Sequence, residues 1–179
     1  TGTDLWCFVW CEASPLAAAW YDTVMPATVD ALVITCMDAP LHRADKPYLA
    51  EYLRGKRVGI KTWDLLTTPG GVRDLVATPA EAPASPEGGR KDALLHAVKI
   101  AHDAHSVSKV FLVNHSACTA YGGAEHFGDA TGEYRKHAED LRAARDIVRQ
   151  FLPNLDVRLF FATVEERADG PFITIDEVR

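Results

Sequence analysis

Residues 91–118 read "KDALLHAVKIAHDAHSVSKVFLVNHSAC". The first half sets Leu94, Leu95, Val98 and Ala101 at the spacing of one helix face, so a helix is expected over 91–105. "KVFLV" (109–113) is a continuous apolar run, the pattern of a strand buried on both faces. A helix leading into a doubly buried strand is the repeating unit of a parallel α/β sheet. Directly after the strand stand His115 and Cys118, two side chains with metal-ligand chemistry.

The same pattern recurs upstream. "ALVITCMDAP" (31–40) runs a short apolar strand, 31–35, into Cys36 and then Asp38. Between the two strands, "KPYLAEYLR" (46–54) reads as a helix stopped by Gly55, and "RVGIKTWDLL" (57–66) as a strand ending in the turn "TTPGG". Downstream, Tyr134, Ala138, Leu141, Val148 and Leu152 form one stripe of an amphipathic helix over 134–152, ended by Pro153. "VRLFFATV" (157–164), a turn at Asp169-Gly170 and "PFITIDEV" (171–178) close the chain as strands. The fold expected is α/β, a mostly parallel central sheet flanked by helices. It forms a single domain over 1–179, with an N-terminal arm and helix at 1–27 and a surface loop at 78–90, where "TPAEAPASPEGG" is rich in proline, alanine and glycine. Ser14-Pro15 is the helix start in that arm.

Composition narrows the function. A net charge of −6 over 179 residues leaves no electrostatic footprint for nucleic acid. No apolar run approaches the ~20 residues of a membrane span. "LWCFVWC" (5–11) lacks the basic leader and cleavage site of a signal peptide. Four cysteines (Cys7, Cys11, Cys36, Cys118) are too few and too unevenly spaced for a disulfide framework, so a reducing, cytoplasmic setting is expected. Glycine-rich nucleotide motifs are absent.

In open parallel sheets, ligands sit beyond the carboxyl ends of the strands. Cys36 follows one buried strand there, and His115 and Cys118 follow another. Both strands are reached through helices, so their carboxyl ends face the same way and two sulfurs and an imidazole can converge. That donor set suits zinc, and three protein ligands leave a fourth position open, as catalytic zinc sites do. Asp38 is then placed to orient a bound water. Cys7 and Cys11 read as core thiols. His96 and His102 read as solvent-facing, and His105 as a partner of its helix dipole. His42, close after the motif, is a candidate proton shuttle, His126 a candidate cleft residue, and Gly70 and Gly71 candidate points of close substrate approach.

These motifs resemble those of the β-class carbonic anhydrases: Cys-x-Asp-x-Arg after the first strand and His-x-x-Cys after a later one. Here they stand as "CMDAP" (36–40) and "NHSACTAYGG" (114–123), and the likeness covers roughly residues 28–179. The resemblance implies Cys36, His115 and Cys118 as ligands of Zn2+, and Asp38 as the catalytic carboxylate. It further implies reversible hydration of CO2 to bicarbonate by zinc-bound hydroxide, and a homodimer or higher homo-oligomer. The chain departs at one position. The family's arginine, which holds the aspartate off the metal, is Pro40 here. Unless Arg43, Arg73 or a partner chain supplies a cation, Asp38 is drawn towards the metal as a fourth ligand. The altered pocket also suits hydrolysis of carbonyl sulfide or carbon disulfide. Permanent ligation by Asp38 would instead leave a non-catalytic zinc-binding module.

Overall fold

Among the residues that the computed structural model describes (28–78 and 89–179), five strands form one sheet. They are β1 (Ala31–Cys36), β2 (Trp63–Thr68), β3 (Lys109–His115), β4 (Asp156–Glu165) and β5 (Phe172–Val178), arranged in the order β2-β1-β3-β4-β5. The first four pair in parallel, and β5 returns antiparallel to β4 through a hairpin. The helices are α1 (Tyr48–Arg54), α2 (Arg73–Val76), α3 (Arg90–His105) and α4 (Ala130–Phe151). The sheet is thus mixed but mostly parallel, as the alternating pattern requires. The N-terminal arm with Cys7, Cys11 and Ser14-Pro15, and residues 79–88 of the expected loop, lie outside the described residues.

Side chains alternate across the sheet and build a core on each face. Leu32, Ile34, Val110 and Leu112 pack with Leu94, Val98 and Ala101 of α3 and with Leu141, Ala144 and Val148 of α4. Ala31, Val33, Phe111 and Val113 face the other way, onto Leu49 and Leu53 of α1. β1 is buried along its whole length, and β3 from Val110 onward, which explains their unbroken apolar runs.

Several boundaries differ from the sequence reading, most clearly those of β2 and α4. β2 begins at Trp63, not at 57, because Gly59 takes a left-handed φ of 71° and residues 55–59 close a turn onto the Gly55 carbonyl. It also runs on through Thr68, so both threonines belong to the strand. α4 begins four residues early, at Ala130, where the Asp129 side chain accepts the Gly132 N–H as an N-cap.

The topology fixes where chemistry can occur. From β1 the chain moves outward to β2, then crosses back over β1 to β3 and continues to β4. The connections therefore diverge between β1 and β3. At such a switch point the carboxyl ends of adjacent strands leave a crevice that no crossover covers.

Candidate metal centre

Cys36 is the last residue of β1 and His115 the last of β3, so the two flank that crevice. Cys118 returns to it by a tight loop. Ser116 anchors the loop twice to β4: its N–H donates to the Ala162 carbonyl, and its Oγ accepts the Val164 N–H at 2.9 Å. Ala117 then takes a left-handed φ of 57°, which costs a residue with a Cβ about 1 kcal/mol. Its N–H is held at 2.6 Å by Oε1 of Glu133, a carboxylate only 4% exposed at the start of α4. The Cys118 carbonyl accepts the N–H groups of Tyr121 and Gly123, which fixes the far side of the loop.

The three ligand atoms converge to within 4.8 Å of one another, and all three residues are buried. The Cys36 and Cys118 sulfurs lie 3.8 Å apart. That is about the edge of a tetrahedron whose metal–sulfur bonds are ~2.3 Å. The His115 Nδ1 donates to the Ser116 carbonyl at 2.8 Å, which leaves the lone pair on Nε2. Nε2 is buried and, among the described residues, has no hydrogen-bond partner. A buried nitrogen without a partner is costly, and here a cation between the sulfurs would satisfy it. The donor set fits a thiophilic divalent metal such as zinc.

The two thiols share one hydrogen bond, so the charge on one sets that on the other. The hydrogen bond from Cys118 pulls the Cys36 thiol well below its ordinary range, against the opposing effect of burial. The same contact, reinforced by burial, pushes Cys118 up. The pair therefore gives up its first proton easily and its second only when another cation is present. Burial works to lower the His115 imidazole, but the neighbouring Cys36 thiolate outweighs it and leaves the ring raised. The Gly70 N–H points at the Cys36 sulfur from 3.4 Å and favours its thiolate form.

Asp38 stands at the mouth, its side chain 38% exposed, with Oδ2 3.7 Å from His115 Nε2. Neither arginine named as a substitute for the missing one reaches it. Arg43 is engaged by Asp45, with Nε at 3.0 Å from Oδ1. Arg73 lines a separate cavity of about 320 Å³ with His126 and Lys136, behind Tyr121. The cleft over the centre, about 460 Å³, is walled by Met37, Asp38, Pro69, Thr119 and Ala120 beside the two cysteines.

The other candidates fall elsewhere. His42 donates Nε2–H to the Cys36 carbonyl at 2.7 Å and lines a groove beside Trp63 and Leu65. Gly70 and Gly71 are buried under the strand ends rather than on the cleft wall. A Cβ on Gly71 would stand 2.7 Å from Asn114 Oδ1 and 3.2 Å from the Cys36 nitrogen. His96 is exposed, as read, whereas His102 Nδ1 donates to the Val107 carbonyl at 2.8 Å. His105 pairs with Asp64 of β2 at 2.6 Å. Sequence reading missed Glu133, Asn114 and His137, all buried beneath the centre. Glu133 and His137 are four apart on α4 and share a face with Leu141, a periodicity that was available as a signal.

Residues 27–168 match the family described as "Putative carbonic anhydrase". No curated protein sequence matches the chain. The fold is similar to that of a carbonic anhydrase from Streptococcus mutans, at 16% identity and a TM-score of 0.50, covering 92% of this chain and 93% of that one. A carbonic anhydrase from Glaciozyma antarctica aligns at 14% identity and a TM-score of 0.45, over 85% of this chain and 91% of the other. Among the described residues no helix is long and apolar enough to cross a membrane.

Proposed function

We propose that this chain, which belongs to the family described as "Putative carbonic anhydrase", is a zinc-dependent enzyme that interconverts CO2 and bicarbonate. One observation carries the reading: a buried imidazole nitrogen, without a hydrogen-bond partner among the described residues, beside two sulfurs 3.8 Å apart at the switch point of the sheet. Cys36, His115 and Cys118 hold the metal. When bound, zinc supplies the Lewis acidity that makes water a nucleophile near neutral pH.

The chain's own residues do the rest. The Ser116 carbonyl fixes the His115 tautomer, and the Gly70 N–H stabilises the Cys36 thiolate. Asp38, half-exposed at the mouth, accepts a hydrogen bond from the attacking water and so aims its lone pair at the carbon of CO2. Met37, Pro69 and Ala120 give the cleft an apolar wall, which suits a nonpolar linear substrate. The open mouth lets the proton and bicarbonate leave to solvent. The thiols must remain reduced to serve as ligands, which fits a cytoplasmic setting. A homodimer is the assembly we assign, following the family resemblance.

A second reading rests on Asp38 itself. With no guanidinium paired to it among the described residues, the carboxylate is free to approach the metal and close the site. Stopped-flow CO2 hydration by zinc-loaded wild type and Cys118→Ser tests both readings. Turnover well above the buffer rate in wild type, lost in the variant, is the expected result. Wild type that retains zinc but shows no turnover points to the closed module, and turnover of carbonyl sulfide alone to the hydrolase.

A further inference from the structure

Asn114 precedes His115 on β3, is 1% exposed, and has every polar atom of its side chain engaged. Its Oδ1 accepts the Val72 N–H at 3.3 Å, and that backbone donor determines which end of the amide is oxygen. Its Nδ2 then donates to the Tyr121 hydroxyl oxygen at 3.2 Å and to His137 Nδ1 at 3.1 Å. The second of these bonds places the His137 proton on Nε2.

Each of the three partners lies on a segment that touches a ligand or its loop. Val72 ends the Gly70–Gly71 turn, whose first N–H donates to Cys36 Sγ. Tyr121 closes the loop after Cys118, with its own N–H on the Cys118 carbonyl. His137 is a fully buried residue of α4, four positions after the Glu133 that holds the Ala117 N–H. Gly71 must lack a side chain for this arrangement to exist, because a Cβ there would lie 2.7 Å from Asn114 Oδ1.

We infer that Asn114 is a positioning residue for the metal centre. One buried amide ties the Gly70–Gly71 turn that meets Cys36, the Cys118 loop and α4 to the strand that bears His115, and so holds the three donors at ligand spacing. It touches neither metal nor substrate. The inference rests on Cys36, His115 and Cys118 being the metal ligands, and the experiment separates the two claims.

Zinc affinity is measured by chelator competition on wild type, Asn114→Ala, Tyr121→Phe and Val98→Ala, with thermal melting of each. Val98→Ala is the control: it weakens the core beneath α3 and removes no hydrogen bond of the network. Loss of an outer-shell partner lowers metal affinity roughly 10–100-fold. Asn114→Ala is expected to lose affinity in that range, with a changed visible spectrum of the cobalt-substituted protein. Tyr121→Phe, which removes one acceptor and keeps the ring, is expected to lose several-fold. Val98→Ala should melt earlier but bind zinc as wild type does. Asn114→Ala that folds and binds zinc within twofold of wild type overturns the inference, as does Val98→Ala losing as much affinity. If Asn114→Ala does not fold, Tyr121→Phe decides alone, and unchanged affinity there counts against it. Wild type that binds no zinc refutes the metal centre rather than the role of Asn114.

Discussion

Asp38 Oδ2 lies 3.7 Å from His115 Nε2, and among the described residues no arginine meets the carboxylate. Pro40 occupies the first turn of a short 3-10 segment, Ala39–His42, where its fixed φ suits the turn but offers Asp38 no donor. Pro40→Arg is therefore expected to raise CO2 hydration at neutral pH about tenfold, the scale of one charge-assisted hydrogen bond. Stopped-flow assays of both proteins at equal zinc content check this. A variant no faster than wild type means that Asp38 does not need the cation.

Gly71 and Gly59 both take a left-handed φ, 58° and 71°, but only Gly71 is crowded. Gly59→Ala meets nothing within 4 Å and should cost about 1 kcal/mol, the conformational penalty alone. Gly71→Ala adds contacts at 2.7 Å and 2.9 Å with Asn114 Oδ1 and the Val113 carbonyl. Its cost should exceed that of Gly59→Ala by 2 kcal/mol or more, roughly the scale of overpacking a core. Urea unfolding of the two variants side by side gives the comparison, and equal losses would show that the backbone at Gly71 can move aside.

His137 supplies an acid-sensitive element of stability. Burial holds its imidazole down, with the nearby His115 adding to the effect, to about 4. The unfolded ring takes its proton near 6.5, so between those values the unfolded chain binds more protons and stability falls as the pH is lowered. The contribution is complete above about 6.5 and is lost progressively down to about 4, a change of roughly 3 kcal/mol. In His137→Gln the dependence of unfolding free energy on pH should flatten across that window. Urea unfolding at intervals from pH 4 to 7 provides the test, and an unchanged slope would assign the acid sensitivity to another group.

Much of this could be read in the sequence because the central strands are buried on both faces. Runs such as "ALVIT" and "KVFLV" then have no polar position to blur the pattern, and the residues at their ends stand out. β2 was harder: it is an edge strand with exposed Leu65, and Gly59 breaks the apolar run that precedes it. Tyr134 was assigned to the buried stripe of α4 but is 43% exposed, while Glu133 and His137 are buried in its place. Their burial follows from partners on other segments: Ala117 for Glu133, and Asn114 for His137. Asn114 itself gave no signal, since its bonds to Val72, Tyr121 and His137 exist only once the sheet and α4 have assembled.

X-ray absorption at the zinc edge of the metal-loaded wild type tests the centre most directly, because it counts sulfur neighbours. Ligation by Cys36, His115 and Cys118 predicts two sulfurs at ~2.3 Å and two lighter neighbours at ~2.0 Å, one of them an imidazole. Fewer than two sulfurs, or four, would contradict it.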